Sequence, residues 1–133
     1  MCMSCKIDTD DVWLNLSPGQ GFKTPDNMKG SHFDVKSVDS EGIKIKTKRG
    51  SLVPIGRQAF ENTLHYLRSH DHYSHNPCEI RSNNDRELAG PLCVASRDGN
   101  RNVRCINYTL PILESFGIVV TDGKRPNKTW LLG

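Results

Sequence analysis

The sequence predicts an α+β protein, and three observations carry that prediction. Apolar and polar residues alternate with a period of two through residues 33–47. Apolar residues then recur at intervals of three and four in three later segments. A second alternating stretch closes the chain around a basic turn. Period two marks half-buried strands and period 3.6 marks amphipathic helices. The expected organisation is a β-rich N-terminal hairpin region over residues 1–50, packed on the same core as a unit spanning 51–133 in the order α-β-α-α-β-β.

Along the first region, Val12, Leu14 and Leu16 alternate like a short strand. Turn-rich clusters follow at Ser17–Gly21 and Thr24–Asn27. The Gly19-Gln20-Gly21 run lacks a third glycine and a preceding apolar strand, so it is not read as a phosphate cradle. Phe33, Val35 and Ser37 share one face of an extended segment. After the turn at Asp39–Gly42, Ile43, Ile45 and Thr47 alternate with Lys44, Lys46 and Lys48. A lysine row of this kind is ordinary for a solvated sheet face guarded against edge pairing.

In the second region, Ala59, Phe60, Thr63, Leu64 and Leu67 define a helix over about 56–69. A short β-like stretch follows at Cys78–Arg81. A second helix is expected from about Asp85 to Arg97, with Leu88, Leu92 and Cys93 inward and a break or kink at Gly90-Pro91. Val103, Ile106, Leu110, Leu113 and Phe116 give the third helix, kinked at Pro111, with Gly117 placed for a left-handed C-terminal cap. Ile118–Thr121 and Thr129–Leu132 read as a terminal hairpin whose tip is Lys124–Lys128.

The chain has 133 residues, enough for one domain, with 18 Lys and Arg against 15 Asp and Glu. The formal charge of +3 and the sequence pI near 8.6 are a mild surplus, not a polybasic tail. A mean hydropathy of −0.56 and the lack of any long apolar run argue against a membrane span. No secretory leader opens the sequence, so a cytoplasmic location is expected. Five cysteines form no even framework, which predicts reduced thiols.

The order helix, strand, helix, helix, strand, basic loop, strand over residues 54–132 resembles the winged helix-turn-helix superfamily. In that superfamily the third helix enters the DNA major groove and the wing touches the backbone or minor groove. Carried onto this chain, the resemblance implies contacts from Arg101, Arg104, Asn107, Tyr108 and Ser115, which face away from the apolar stripe of the third helix. It also implies contacts from Lys124, Arg125, Asn127 and Lys128 at the hairpin tip. Arginine and asparagine suit guanine and adenine edges, and a compact cationic tip suits phosphates.

Histidine and cysteine crowd between residues 65 and 78. His70, His72, His75 and Cys78 are the candidate metal ligands there, with Cys2-x-x-Cys5 as a separate pair. Zinc needs four N or S donors in a tetrahedron, usually from two close pairs, and no standard second pair accompanies this loop. The plain alternative is a polar loop whose imidazoles are exposed or hydrogen-bonded.

The expected function is therefore a non-enzymatic DNA-binding protein, with no catalytic residue and no cofactor. It would act as a small regulator or targeting module on double-stranded DNA, and as a homodimer over two half-sites. Two alternatives stand beside it. One is a protein-interaction module of the same fold, such as a product of mobile DNA. The other is a metal-dependent hydrolase or nuclease built on the histidine-rich loop.

Overall fold

The computed structural model describes residues 3–133. Helix α1 (Met3–Asn15) opens the chain, where the alternation of Val12, Leu14 and Leu16 had suggested a strand. Cys5, Thr9, Val12 and Leu16 are buried and Leu14 is exposed, so the buried spacing is four, three and four, which only a helix puts on one face. Ion pairs from Asp8 to Arg68 and from Asp10 to Arg57 hold this helix. Trp13 adds an edge-on contact with Phe60 at 5.1 Å.

Four short strands follow as an antiparallel meander: β1 (Gly21–Lys23), β2 (His32–Val38), β3 (Gly42–Thr47) and β4 (Leu52–Gly56). Val35 opposes Ile45 and Ile43 opposes Ile55, so the β-branched face turns inward while Lys44 and Lys46 face solvent. Because β4 pairs with β3, this sheet runs past the boundary expected at residue 50.

Helix α2 (Arg57–Ser69) buries Ala59, Phe60, Thr63, Leu64 and Leu67, the face its spacing predicts. The β-like stretch is the two-residue β5 (Cys78–Glu79). The second helix is shorter than expected. Residues 85–90 form a turn, Gly90 is the N-cap, and α3 (Pro91–Asp98) begins with proline at its first position. Proline is favoured there because its missing N–H has no helical partner to lose. Leu88 consequently lies outside the helix and is 63% exposed.

Helix α4 (Ile106–Ser115) also starts later than the apolar pattern implied. Arg101 and Asn102 adopt left-handed backbone angles, with φ of 54° and 63°. That turn separates Arg101, Val103 and Arg104 from the helix and leaves Val103 exposed. At its other end, Gly117 has φ 73°, and the Gly117 and Ile118 N–H groups bond to the carbonyls of Glu114 and Leu113. This is the left-handed cap the sequence predicted. The chain closes with β6 (Val119–Asp122) and β7 (Lys128–Leu131), and β7 lies between β5 and β6 in a second antiparallel sheet.

One apolar cluster runs through both sheets and all four helices, from Val12 through Phe33, Phe60 and Leu92 to Leu110 and Leu131. Most of α4 is buried in it: Ile106, Thr109, Leu110, Pro111, Ile112 and Leu113. Among the described residues, no helix is long and apolar enough to cross a membrane. Cys78, Cys93 and Cys105 are buried thiols, as expected for reduced cysteines. Cys5 is disulfide-bonded, contrary to that expectation, and Cys2 lies outside the described residues.

Candidate functional site

Four segments that are distant in sequence meet at one cleft of about 590 Å³. They are the β1–β2 loop, the residues just after β5, the start of α4 and the β6–β7 tip. Backbone chemistry brings them together. The Asn27 N–H bonds to the Gly123 carbonyl at 2.9 Å, and the Ile80 N–H bonds to the Asn127 carbonyl at 3.0 Å. Asn127 ties the tip internally, donating from Nδ2 to the carbonyls of Gly123 (2.9 Å) and Lys124 (3.1 Å). Gly123 permits the approach, because a Cβ there would lie 2.5 Å from the Pro25 carbonyl oxygen and closer still to the Asn27 side chain.

The lining is strongly cationic. Lys29, Arg81, Arg104 and Arg125 contribute, with Asp26 as the single acid. Arg125 donates from Nε and an Nη to one Asp26 oxygen at 3.0 and 2.8 Å. That guanidinium, with the Met28 N–H, holds the Asp26 carboxyl below its usual range. Lys29, Arg81 and Arg104 have no ion pair among the described residues. Uncompensated cations gathered in a concave cleft focus a positive potential and concentrate anions there.

Arg81 is set in place by its backbone. Its φ is +45°, its carbonyl accepts the Gly90 N–H at 2.9 Å, and its stem lies where a Cβ on Gly90 would be, 2.6 Å from the Arg81 Cβ. Beside it, Ser82 also lines the cleft. The Ser82 hydroxyl oxygen is buried and has no hydrogen-bond partner among the described residues. A buried polar group left unpaired is costly and calls for an explanation.

Arg97, behind this wall, is 6% exposed and donates to the carbonyls of Asn83, Asn84 and Asn102. It braces the segment following Ser82 against the turn that precedes Arg104. Sequence reasoning missed Lys29, Arg81, Ser82 and Arg97. The only signal was their basic or hydroxyl character, because their positions come from tertiary docking.

Of the residues expected to touch DNA, Arg104, Asn107, Arg125 and Asn127 line this cleft together. Arg101 does not. It lines a separate cleft of about 610 Å³, beside the β2–β3 turn and the start of α2. Tyr108 is half-buried, edge-on to Phe33 at 5.1 Å, so the N-terminal sheet covers that side of α4. Ser115 lies at the far end of the helix and donates to the Ile112 carbonyl. Lys124 is exposed at the tip, and Lys128 is half-buried in β7 opposite Asp122 and Glu79.

The histidine-rich loop turns its ring nitrogens to local partners. His70 Nδ1 contacts the Tyr66 carbonyl at 3.0 Å, His72 Nδ1 the Asn76 carbonyl at 2.8 Å, and His75 Nε2 an Asp71 oxygen at 3.0 Å. The His70 ring stacks on Tyr66 with centroids 4.1 Å apart. Cys78 is buried, and its thiol is pushed up to about 11. Among the described residues, no group of three His, Cys, Asp or Glu side chains is arranged to hold a metal ion.

No family model, no curated protein and no solved structure matches this chain.

Proposed function

We propose that this protein is a non-enzymatic DNA-binding protein that grips backbone phosphates in the cationic cleft. The observation that carries the reading is the convergence of Arg104 and Arg125 with Lys29 and Arg81 in one cleft, three of them without a carboxylate partner among the described residues. The helix–strand–helix–helix–strand–strand order, with β7 between β5 and β6, supports a winged-helix arrangement for the second region. The burial of α4 redirects the DNA contact, however. With Tyr108 against Phe33 and six of its residues in the core, that helix has little free surface for reading bases in a major groove. Phosphate contact from its first turn and from the tip is what the surface favours. A homodimer would double the number of phosphates held by this cationic cleft.

Duplex binding measured by fluorescence anisotropy across a salt series tests this reading. Neutralising three to four phosphates gives a log–log slope of about −3, and removing one phosphate-gripping cation reduces it by about 1. Binding indifferent to salt contradicts the proposal. A second reading, the protein-interaction module, is favoured by Met3, Ile7 and Leu14. These are 74%, 58% and 81% exposed, and helical spacing puts them on one side of α1. Retention of a protein partner by a Leu14→Glu variant counts against it.

A further inference from the structure

We infer that the cleft is built for a phosphate monoester dianion, the group found at the end of a nucleic-acid strand or on a free nucleotide. The inference rests on the reading of this cleft as the phosphate-gripping part of the protein, and it narrows what that part accepts.

Shape comes first. An internal phosphodiester sits on the convex ridge of a duplex and carries one negative charge, so it meets a protein surface side-on. The cleft is instead a recess between four chain segments, with about 590 Å³ of space and cations on several walls. That volume lies within the roughly 300–1,000 Å³ of small-ligand sites. A terminal phosphate, which projects from its sugar, can enter such a recess.

Charge comes second. Lys29, Arg81 and Arg104 bring three positive charges with no acid among them, and Arg125 is already neutralised by Asp26. A dianion with three acceptor oxygens answers that surplus better than a singly charged diester, and guanidinium groups suit it through paired N–H donors. Asn107 and Asn127 line the same recess. The Asn107 carboxamide supplies a neutral donor and acceptor for a sugar or base beside the phosphate, while Asn127, whose Nδ2 is taken by the tip carbonyls, offers only its oxygen.

The third argument is the Ser82 hydroxyl, which is buried and without a partner among the described residues. The oxygen is closed off from the cleft as the side chain stands, so a ligand oxygen satisfies it only once that side chain turns outward, and until then it costs stability. Structural and ligand-binding roles therefore differ in sign at this residue. Ser82→Ala removes an unsatisfied group and leaves the thermal midpoint unchanged or higher, while it weakens phosphate binding.

The test uses the full chain and two probe pairs, a duplex with 5′-phosphate ends against the same duplex with 5′-hydroxyl ends and adenosine 5′-monophosphate against adenosine, each measured on wild type, Ser82→Ala and Arg81→Gln. Arg81→Gln keeps the stem that packs on Gly90 and removes the charge. Loss of a charge-assisted hydrogen bond to the phosphate corresponds to about a tenfold loss of affinity. The expected result is about tenfold tighter binding of the phosphorylated member of at least one pair, reduced in both variants. Preference within the duplex pair identifies a strand end as the source, and preference within the nucleoside pair alone identifies a free nucleotide. Salt-sensitive duplex binding with no preference in either pair overturns this inference and leaves the DNA-binding reading standing. Nucleotide binding without duplex binding does the reverse. A lowered thermal midpoint in Ser82→Ala with unchanged affinity assigns that hydroxyl to the fold and overturns its role here.

Discussion

Arg125 at the hairpin tip and Asp26 in the β1–β2 loop form a forked contact, two guanidinium nitrogens on one carboxylate oxygen at 3.0 and 2.8 Å. The contact spans 99 residues of sequence and fixes the tip against the N-terminal sheet. Its partner bond, from the Asn27 N–H to the Gly123 carbonyl, lies alongside. A hairpin tip held in this way presents its cations as one wall of a cleft and not as a free flap.

The pairing has a definite pH dependence. Arg125 lowers the Asp26 carboxyl below its usual 3.8, so the folded state favours the charged form. The contribution is present above the ordinary carboxylate range and is lost as the pH falls through the lowered value. An NMR titration of the Asp26 carboxyl carbon is expected to give a midpoint below 3.8, and Arg125→Ala is expected to raise it.

Gly123→Ala tests the docking of the tip sterically. A Cβ at this position meets the Pro25 carbonyl and the Asn27 side chain at less than van der Waals separation. Overpacking of this kind costs about 1–3 kcal/mol. Urea unfolding should register that loss, and hydrogen exchange should quicken at the Asn27 amide.

Arg97 is a structural cation. It is nearly buried, and its donors satisfy the carbonyls of Asn83, Asn84 and Asn102. Arg97→Ala leaves those carbonyls short of a charged donor and should cost about 3 kcal/mol. For a chain of this size that corresponds to a fall of roughly 10 °C in Tm, readable by calorimetry.

The buried thiols should be unreactive in the folded state. Burial pushes Cys105 up to about 12 and Cys78 up to about 11. At neutral pH the thiolate fraction of the latter is about one in ten thousand. Iodoacetamide should label both cysteines only after denaturation, as mass spectrometry of the modified peptides will report.

Local pattern was legible and long-range docking was not. The inward faces of β2, β3 and α2 follow from period, and the Gly117 cap follows from glycine at the end of an apolar repeat. The first helix was obscured because Val12, Leu14 and Leu16 also fit an alternating pattern, while its buried partners Cys5 and Thr9 are weakly apolar. The start of α3 turns on proline's preference for the first helical position. The start of α4 turns on left-handed angles at Arg101 and Asn102, residues whose types do not demand them. At the site, Arg104, Asn107, Arg125 and Asn127 were visible because they flank recognisable elements. Lys29, Arg81 and Ser82 were hidden because only the meeting of the β1–β2 loop with the hairpin tip, and the stem of Arg81 lying on Gly90, makes them neighbours.

Arg101 and Arg104 stand three positions apart, yet they line different clefts. Comparing Arg101→Ala with Arg104→Ala in duplex binding at low salt is therefore the most direct measurement. The account predicts that Arg104→Ala weakens binding about tenfold or more and flattens the salt slope, while Arg101→Ala leaves both nearly unchanged. Equal losses from the two substitutions, or a loss from Arg101→Ala alone, would contradict it.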